Sequence, residues 1–408
     1  MSGQLTERLG VDVDLADPMT HVADRTRPLF ERLRRDQPIA WHVPRGPRRG
    51  FWNVTRYTDV LAVCRDSDVF GSTGGNVMDT LLTSGDSGAG RMLAVSDGLR
   101  HAAVRRLLWQ GLTRNALASV SARVQVRTRA LVRAARQAGD CDFARDVAAH
   151  IPLHAICDLL DVPLEDRPFI LRQTSSALSS ERQTAGAEAA RMAKGQLLLY
   201  FAKLATARLG RSVTDDEHPD LITLLVNGEI DGRRLSIDEV VLNCYSLVVG
   251  GDETARLAMI GGVLALIEHP EQWQALRDGL PVELAVAEIL RWTTPAIHVG
   301  RTAMTTTTLL GQEIQAGDAV VAWLNSANAD GEEFEEPQRF DLTRTPNRQL
   351  SFVYGAHFCI GAHLARVEIG ALLEALRDEV KSLTQTGPPV PIYSTFLHGY
   401  SSLPVRLR

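Results

Sequence analysis

The chain has 408 residues, 45% of them hydrophobic and 23% charged, with a formal net charge of -5. That length and apolar content permit a large buried core and exclude a disordered chain, and the mild acidity removes any electrostatic case for a nucleic acid partner. The longest apolar stretch, residues 258–267, is about half of the ~20 residues that a membrane-spanning helix requires. The N-terminus has no apolar signal region, and the five cysteines are scattered and odd in number, which argues against a disulfide framework. A cytoplasmic monomer with no membrane anchor is the expectation.

Residues 1–38 read as a polar lead-in with a short helix over 28–35. Residues 39–43 and 51–55 alternate apolar and polar types around a Pro/Gly-rich turn, the pattern of a β-hairpin. A helix over 57–65 follows. Residues 70–97 form a long glycine-rich connection with an apolar island at Val77, Met78, Leu81 and Leu82. Its Gly85–Met92 portion has Arg91 and Met92 where a phosphate-binding loop needs lysine and a hydroxyl residue, and no strand precedes it. His101 and Arg105 then share one face of a helix that opens after Asp97. Residues 114–210 read as amphipathic helix, with breaks near Gly139, Val162-Pro163 and 179–184.

From 236 to 269 the pattern is one long helix interrupted by Gly250-Gly251-Asp252-Glu253-Thr254. Two glycines inside a helix cost on the order of 1 kcal/mol each, so they require a reason: close packing on a neighbour, or close approach of a ligand. The Thr254 hydroxyl, one turn after Gly250, can bond the carbonyl there and leave a polar notch in an apolar wall. Glu288 and Arg291 are spaced to pair on the next helix, and Arg339 could add a second guanidinium.

The chain then reaches Phe352-Val-Tyr-Gly-Ala-His-Phe-Cys359-Ile-Gly-Ala-His-Leu-Ala-Arg366. One cysteine stands between Gly355 and Gly361, and an alanine-rich helix follows. A sulfur at a helix N-terminus meets free N–H groups and the positive end of the dipole, which favour thiolate over thiol. A buried structural cysteine, or a zinc site with His357 and His363, are the competing readings; the second lacks a Cys-x-x-Cys partner.

This stretch, F-x-x-G-x-H-x-C-x-G-x-x-L-A-R, resembles the haem-binding loop of the cytochrome P-450 family. Val353 stands where the family usually has glycine. Gly250–Thr254 resembles the family's G-G-x-[D/E]-T motif, and the resemblance extends over nearly the whole chain. It implies a mainly α, single triangular helical domain over residues 1–408, with small β-sheets and a long central helix above haem b. It further implies that Cys359 ligates the iron, with Phe352, His357 and Gly250 against the cofactor and with His101, Arg105 and Arg301 on the propionates. Thr254 and Glu253 would act at the oxygen site, Glu253 in proton delivery. Glu288, Arg291 and Arg339 would lock the core behind the loop. Asn328-Ala329-Asp330 departs from the family's A-N-R-D at Ala329. The substrate pocket would take Asn76, Val77, Met78, Leu82, Met92, Leu247, Gly250, Ala296, Ile297, Phe396 and Leu397, under a lid formed by 169–178 and the helix from 187.

The implied activity is a haem-thiolate monooxygenase that uses O2 and oxidises a hydrophobic small molecule. C–H hydroxylation in secondary-metabolite biosynthesis is the first reading. Oxidative C–N or C–C ring closure on an indole-containing or peptide-derived substrate is the alternative. With no reductase segment in the chain, electrons would come from a ferredoxin or flavodoxin and its reductase, docking near Arg106, Arg114 and Arg348. A non-catalytic haem sensor, or a peroxide-driven enzyme, would not need the acid–alcohol pair that this sequence carries.

Overall fold

Ser236 starts the longest helix, Ile237–Glu268. Its hydroxyl accepts the Glu239 N–H while the Glu239 carboxylate accepts the Ser236 N–H, at 3.3 and 2.8 Å. This reciprocal cap satisfies two of the donors that a helix start leaves free. The computed structural model describes residues 13–24, 26–43, 46–178, 184–210 and 219–408. Within these the fold is mainly helical with small sheets. The break expected at 179–184 lies, except for Thr184, outside the described residues.

The central helix packs against His150–Leu159, Thr184–Ala207, Val282–Thr293 and Ala362–Glu379. Val240, Val248, Ala258, Ile260 and Leu266 are fully or almost fully buried in these contacts, and each large side chain contributes about 1.5–3 kcal/mol. The glycines of this helix divide into two uses. A Cβ at Gly261 or Gly262 would meet Thr293 or Ile289 at 2.7–2.8 Å, so these two seat the neighbouring helix. A Cβ at Gly250 would meet nothing within 4 Å. Packing therefore does not account for Gly250.

Five strands form the main sheet: β1 (Ile39–His42), β2 (Phe51–Val54), β3 (Phe70–Gly71), β4 (His298–Ala303) and β5 (Ala319–Trp323). Their order is β1-β2-β5-β4-β3, with β2 and β5 parallel and the other pairs antiparallel. Alternation along β5 divides the apolar residues between two clusters. Val320 and Ala322 face Tyr57 and Val60, whereas Ala319, Val321 and Trp323 face Phe30, Leu33 and Met78. The sheet places Arg301, on β4, at the edge of the helical core.

Residues 70–97, read from sequence as a long glycine-rich connection with an apolar island, include regular elements. They contain β3, a short helix Met78–Leu81 and a 3-10 turn Leu93–Val95. Gly300 N–H on β4 donates to Asn76 O at 2.8 Å, and Met78 N–H donates to His298 Nε2 at 3.1 Å, so this segment is tied to the sheet.

Glu288 and Arg291 form a buried bidentate pair at 2.7 and 2.8 Å. The second guanidinium is a correction to the sequence reading. Arg344, not Arg339, reaches Glu288, at 3.2 Å. The Arg339 side chain is exposed and pairs with Glu336, and only its backbone carbonyl joins the cluster, accepting from Arg291. An i,i+3 neighbour in the same loop drew it outward.

Candidate functional site

Cys359 lies on the wall of a cavity of about 300 Å³ between the central helix, the start of Ala362–Glu379 and β4. The loop is held by its own backbone: Cys359 N–H donates to Phe352 O at 2.9 Å and Phe358 N–H to Gly355 O at 3.0 Å. Gly355 is required twice over. Its φ is +79°, and a Cβ would meet Cys64 O at 2.6 Å. Val353, at the family's glycine position, has φ 60°, a left-handed conformation that costs a β-branched residue roughly 1–3 kcal/mol. The Arg366 guanidinium covers the Phe352 ring at 4.5 Å.

Burial raises Cys359 above its ordinary value, against the Gly361 N–H, Arg105 and Arg366, which pull it down. A bound metal ion is the charge that deprotonates a coordinating thiol outright.

Three cationic or donor groups border the same cavity: His101, Arg105 and His357; Arg301 is buried on β4, two residues after Val299, which is on the wall. The rings of His101 and His357 are 4.1 Å apart. Burial first, and then His357 and Arg105, push His101 down to about 4, so it is neutral. His357 Nε2 lies 3.1 Å from Asp97 Oδ1. Burial works against the Asp97 carboxylate, yet His357 and the Ser72 and Thr73 N–H groups hold it at about 2. Arg301 is 2% exposed, and its guanidinium donates to Gly300 O at 2.8 Å. Among the described residues neither Arg105 nor Arg301 has a carboxylate within 4 Å. A buried guanidinium such as that of Arg301 is costly without an anionic partner, and a ligand with two carboxylates could supply partners to both arginines. These groups, the sulfur and the open face at Gly250 fit haem.

On the opposite wall are Gly250, Gly251 and Thr254. The Thr254 hydroxyl donates to Gly250 O at 2.9 Å, as its spacing predicts. Glu253 is not on the wall. It is buried and bonded to Arg256 at 2.5 Å, with burial raising its carboxyl to about 7 against the pull of that arginine. Asp252, given no role from sequence, is fully buried and accepts from Thr174 Oγ at 2.8 Å. Among the described residues only Glu368 brings a carboxyl to the wall. Burial, with Asp252 nearby, raises it well above the ordinary range. The signal for it was a glutamate on the apolar face of the alanine-rich helix, four residues after Leu364.

Of the expected pocket residues, Asn76, Leu247, Gly250, Ala296 and Phe396 line the cavity. Ile297 and Leu397 do not; both are buried elsewhere, Ile297 in the cluster with Met78 and Trp323. Met78 and Leu82 are buried in the cluster against Phe51 and Trp323 instead. Val77 also lies off the wall, and Met92 packs back toward Gly88. Leu93, Ala94, Asn243 and Ser246 are among the wall residues that sequence reasoning missed. Arg106 and Arg114 are exposed, and Arg348 pairs with Glu333 at 3.4 Å.

A family profile, Cytochrome P450, matches residues 181–397. Cytochrome P450 NovI of Streptomyces niveus is 43% identical over 396 residues, covering 97% of this chain and 96% of that protein. A steroid C26-monooxygenase of Mycolicibacterium smegmatis is 33% identical, covering 97% and 93%. The solved structure of P450 OxyD, involved in the biosynthesis of vancomycin-type antibiotics, superposes with a TM-score of 0.86 at 33% identity, covering 97% of this chain and 99% of that one. The chain belongs to the cytochrome P450 family. It is an oxidoreductase of the monooxygenase type, and the family implies a haem iron cofactor. Among the described residues no helix is long and apolar enough to cross a membrane.

Proposed function

We propose that this chain binds haem b through Cys359 and hydroxylates a C–H bond of a hydrophobic small molecule in secondary-metabolite biosynthesis, with electrons from a separate ferredoxin or flavodoxin system. The observation that carries this reading is the placement of Cys359 on the same cavity as Thr254 and Gly250, with the Arg105 guanidinium, which lacks a carboxylate partner among the described residues, on that wall. Haem under thiolate ligation supplies dioxygen activation and one-electron chemistry. Arg105, Arg301 and His101 would hold the propionates. Gly250 leaves the cavity open on its side, and Thr254 lies on the same wall. Leu93, Leu247, Ala296 and Phe396 exclude water and favour an apolar body, while Asn76 and Ser246 favour one polar group on it. Glu253 reaches this space as a proton source when its link to Arg256 opens. The antibiotic pathway of OxyD supports the natural-product assignment.

The test is the absorption spectrum of the dithionite-reduced protein under carbon monoxide. A red-shifted Soret band that disappears in Cys359→Ser is expected. Absence of haem after reconstitution overturns the reading. Turnover with reduced nicotinamide and a surrogate ferredoxin pair, compared with turnover driven by peroxide, then tests the electron route.

A further inference from the structure

The central helix carries one buried amide in its apolar first half. Asn243 is 1% exposed, among Val240, Val241, Cys244 and Val248. A buried amide costs free energy unless its donors and acceptor are all engaged, and here they are. Nδ2 donates to Arg91 O at 2.9 Å and to Glu239 O at 2.8 Å, and Oδ1 accepts from Leu93 N–H at 2.9 Å. Bonding the carbonyl of one residue and the N–H two residues on is what a residue of a neighbouring parallel strand does. The side chain takes the place of that strand for a segment outside every sheet.

We propose that Asn243 is a positioning residue that sets the roof of the substrate cavity. Leu93, which it holds, and the adjacent Ala94 line the cavity, and so does Asn243 itself. It lies seven residues before Gly250 and eleven before Thr254, on one face of the same helix. It therefore references the roof directly to the helix that carries the oxygen-side groups. A second tie, the Arg100–Glu239 ion pair, lies one turn away, with side chains 30% and 18% exposed. Solvent and salt weaken that pair, whereas the Asn243 bonds are sheltered. Ligands long enough to reach Leu93 should depend on Asn243, and ligands confined to the iron should not.

The inference rests on the haem-thiolate reading, so its test has one arm that does not. Hydrogen exchange of the holoprotein follows the Leu93 amide, which donates to Asn243 Oδ1. In Asn243→Ala that amide is expected to exchange about tenfold faster or more, with the rest of the central helix unchanged. In the second arm, affinity for 4-phenylimidazole is expected to fall about tenfold and that for imidazole to stay within about twofold. Asn243→Asp keeps the acceptor for Leu93 N–H and loses both donated bonds; it should fall between parent and alanine variant, and it carries the comparison if the alanine variant does not fold. Unchanged Leu93 exchange, or equal loss of both imidazoles, overturns the proposal. A parent that binds neither imidazole counts against the haem reading, and the exchange arm then decides on the clamp alone.

Discussion

Glu253 and Thr254 are adjacent in sequence and face different surroundings: the carboxylate is bonded to Arg256 at 2.5 Å within the protein, while the hydroxyl lies on the cavity wall, 2.9 Å from Gly250 O. The successive residues of a helix are turned about 100° from each other, so only one of the two can face the cavity in a given state. Thr254→Ala should leave haem content and ligand binding unchanged and lower the product formed per reduced nicotinamide by about tenfold, the effect of losing a positioned proton-handling group. Product and nicotinamide measured in the same reaction check this; an unchanged ratio would remove Thr254 from the chemistry.

Arg301 gives a prediction in which stability and cofactor binding separate. Its guanidinium is buried and bonded to its own neighbour's carbonyl. Arg301→Met should leave the haem-free protein as stable as the parent or slightly more so, since an apolar group replaces a buried charge. The same variant should retain much less haem on purification. The thermal midpoint of the apoprotein and the ratio of Soret to protein absorbance measure the two effects.

Asp252 gives a pH dependence of defined sign. Burial raises its carboxyl to about 6, with Arg256 and Thr174 pulling the other way. A group raised in the folded state contributes stability that is full below its unfolded value, near 4, and is lost as pH rises through about 6. A shift of about two units corresponds to roughly 3 kcal/mol. Asp252→Asn should therefore raise the thermal midpoint at pH 8 relative to the parent and change it little near pH 4. Parallel melting curves of the two proteins across that range would contradict this.

The Glu288 cluster separates two arginines that look equivalent in sequence. Glu288→Gln removes the charge that Arg291 and Arg344 share in a dry site, and about 3–5 kcal/mol of stability should be lost. Arg339→Ala removes only an exposed pair with Glu336 and should cost within about 0.5 kcal/mol. Denaturant unfolding of both variants tests the difference.

Much of this was legible in the order of residues. The lengths of the helices, the cap at Ser236 and the bond between Thr254 and Gly250 depend on local spacing, because helix geometry places i and i+4 together without help from the rest of the chain. Cys359, flanked by Gly355 and Gly361 and followed at once by a helix, could be read in the same way. Other features were not legible. Gly250 and Gly261 are the same residue in the same helix, and only their surroundings show that one faces a cavity and the other a threonine side chain. Met78 and Leu82 are as apolar as Leu93, and the sheet, not their composition, drew them into a different cluster.

The sequence by itself determined the helical framework, the sulfur at the helix start and the family, since these depend on short-range geometry and on motifs contiguous in the chain. The tertiary structure alone decided which side chains share the cavity wall, that Arg344 and not Arg339 reaches Glu288, that Glu253 is held by Arg256, and that Asn243 holds Leu93. Each of these joins groups on separate turns or far apart in the chain through a choice of direction, and burial, which fixes the direction, is a property of the whole packed core.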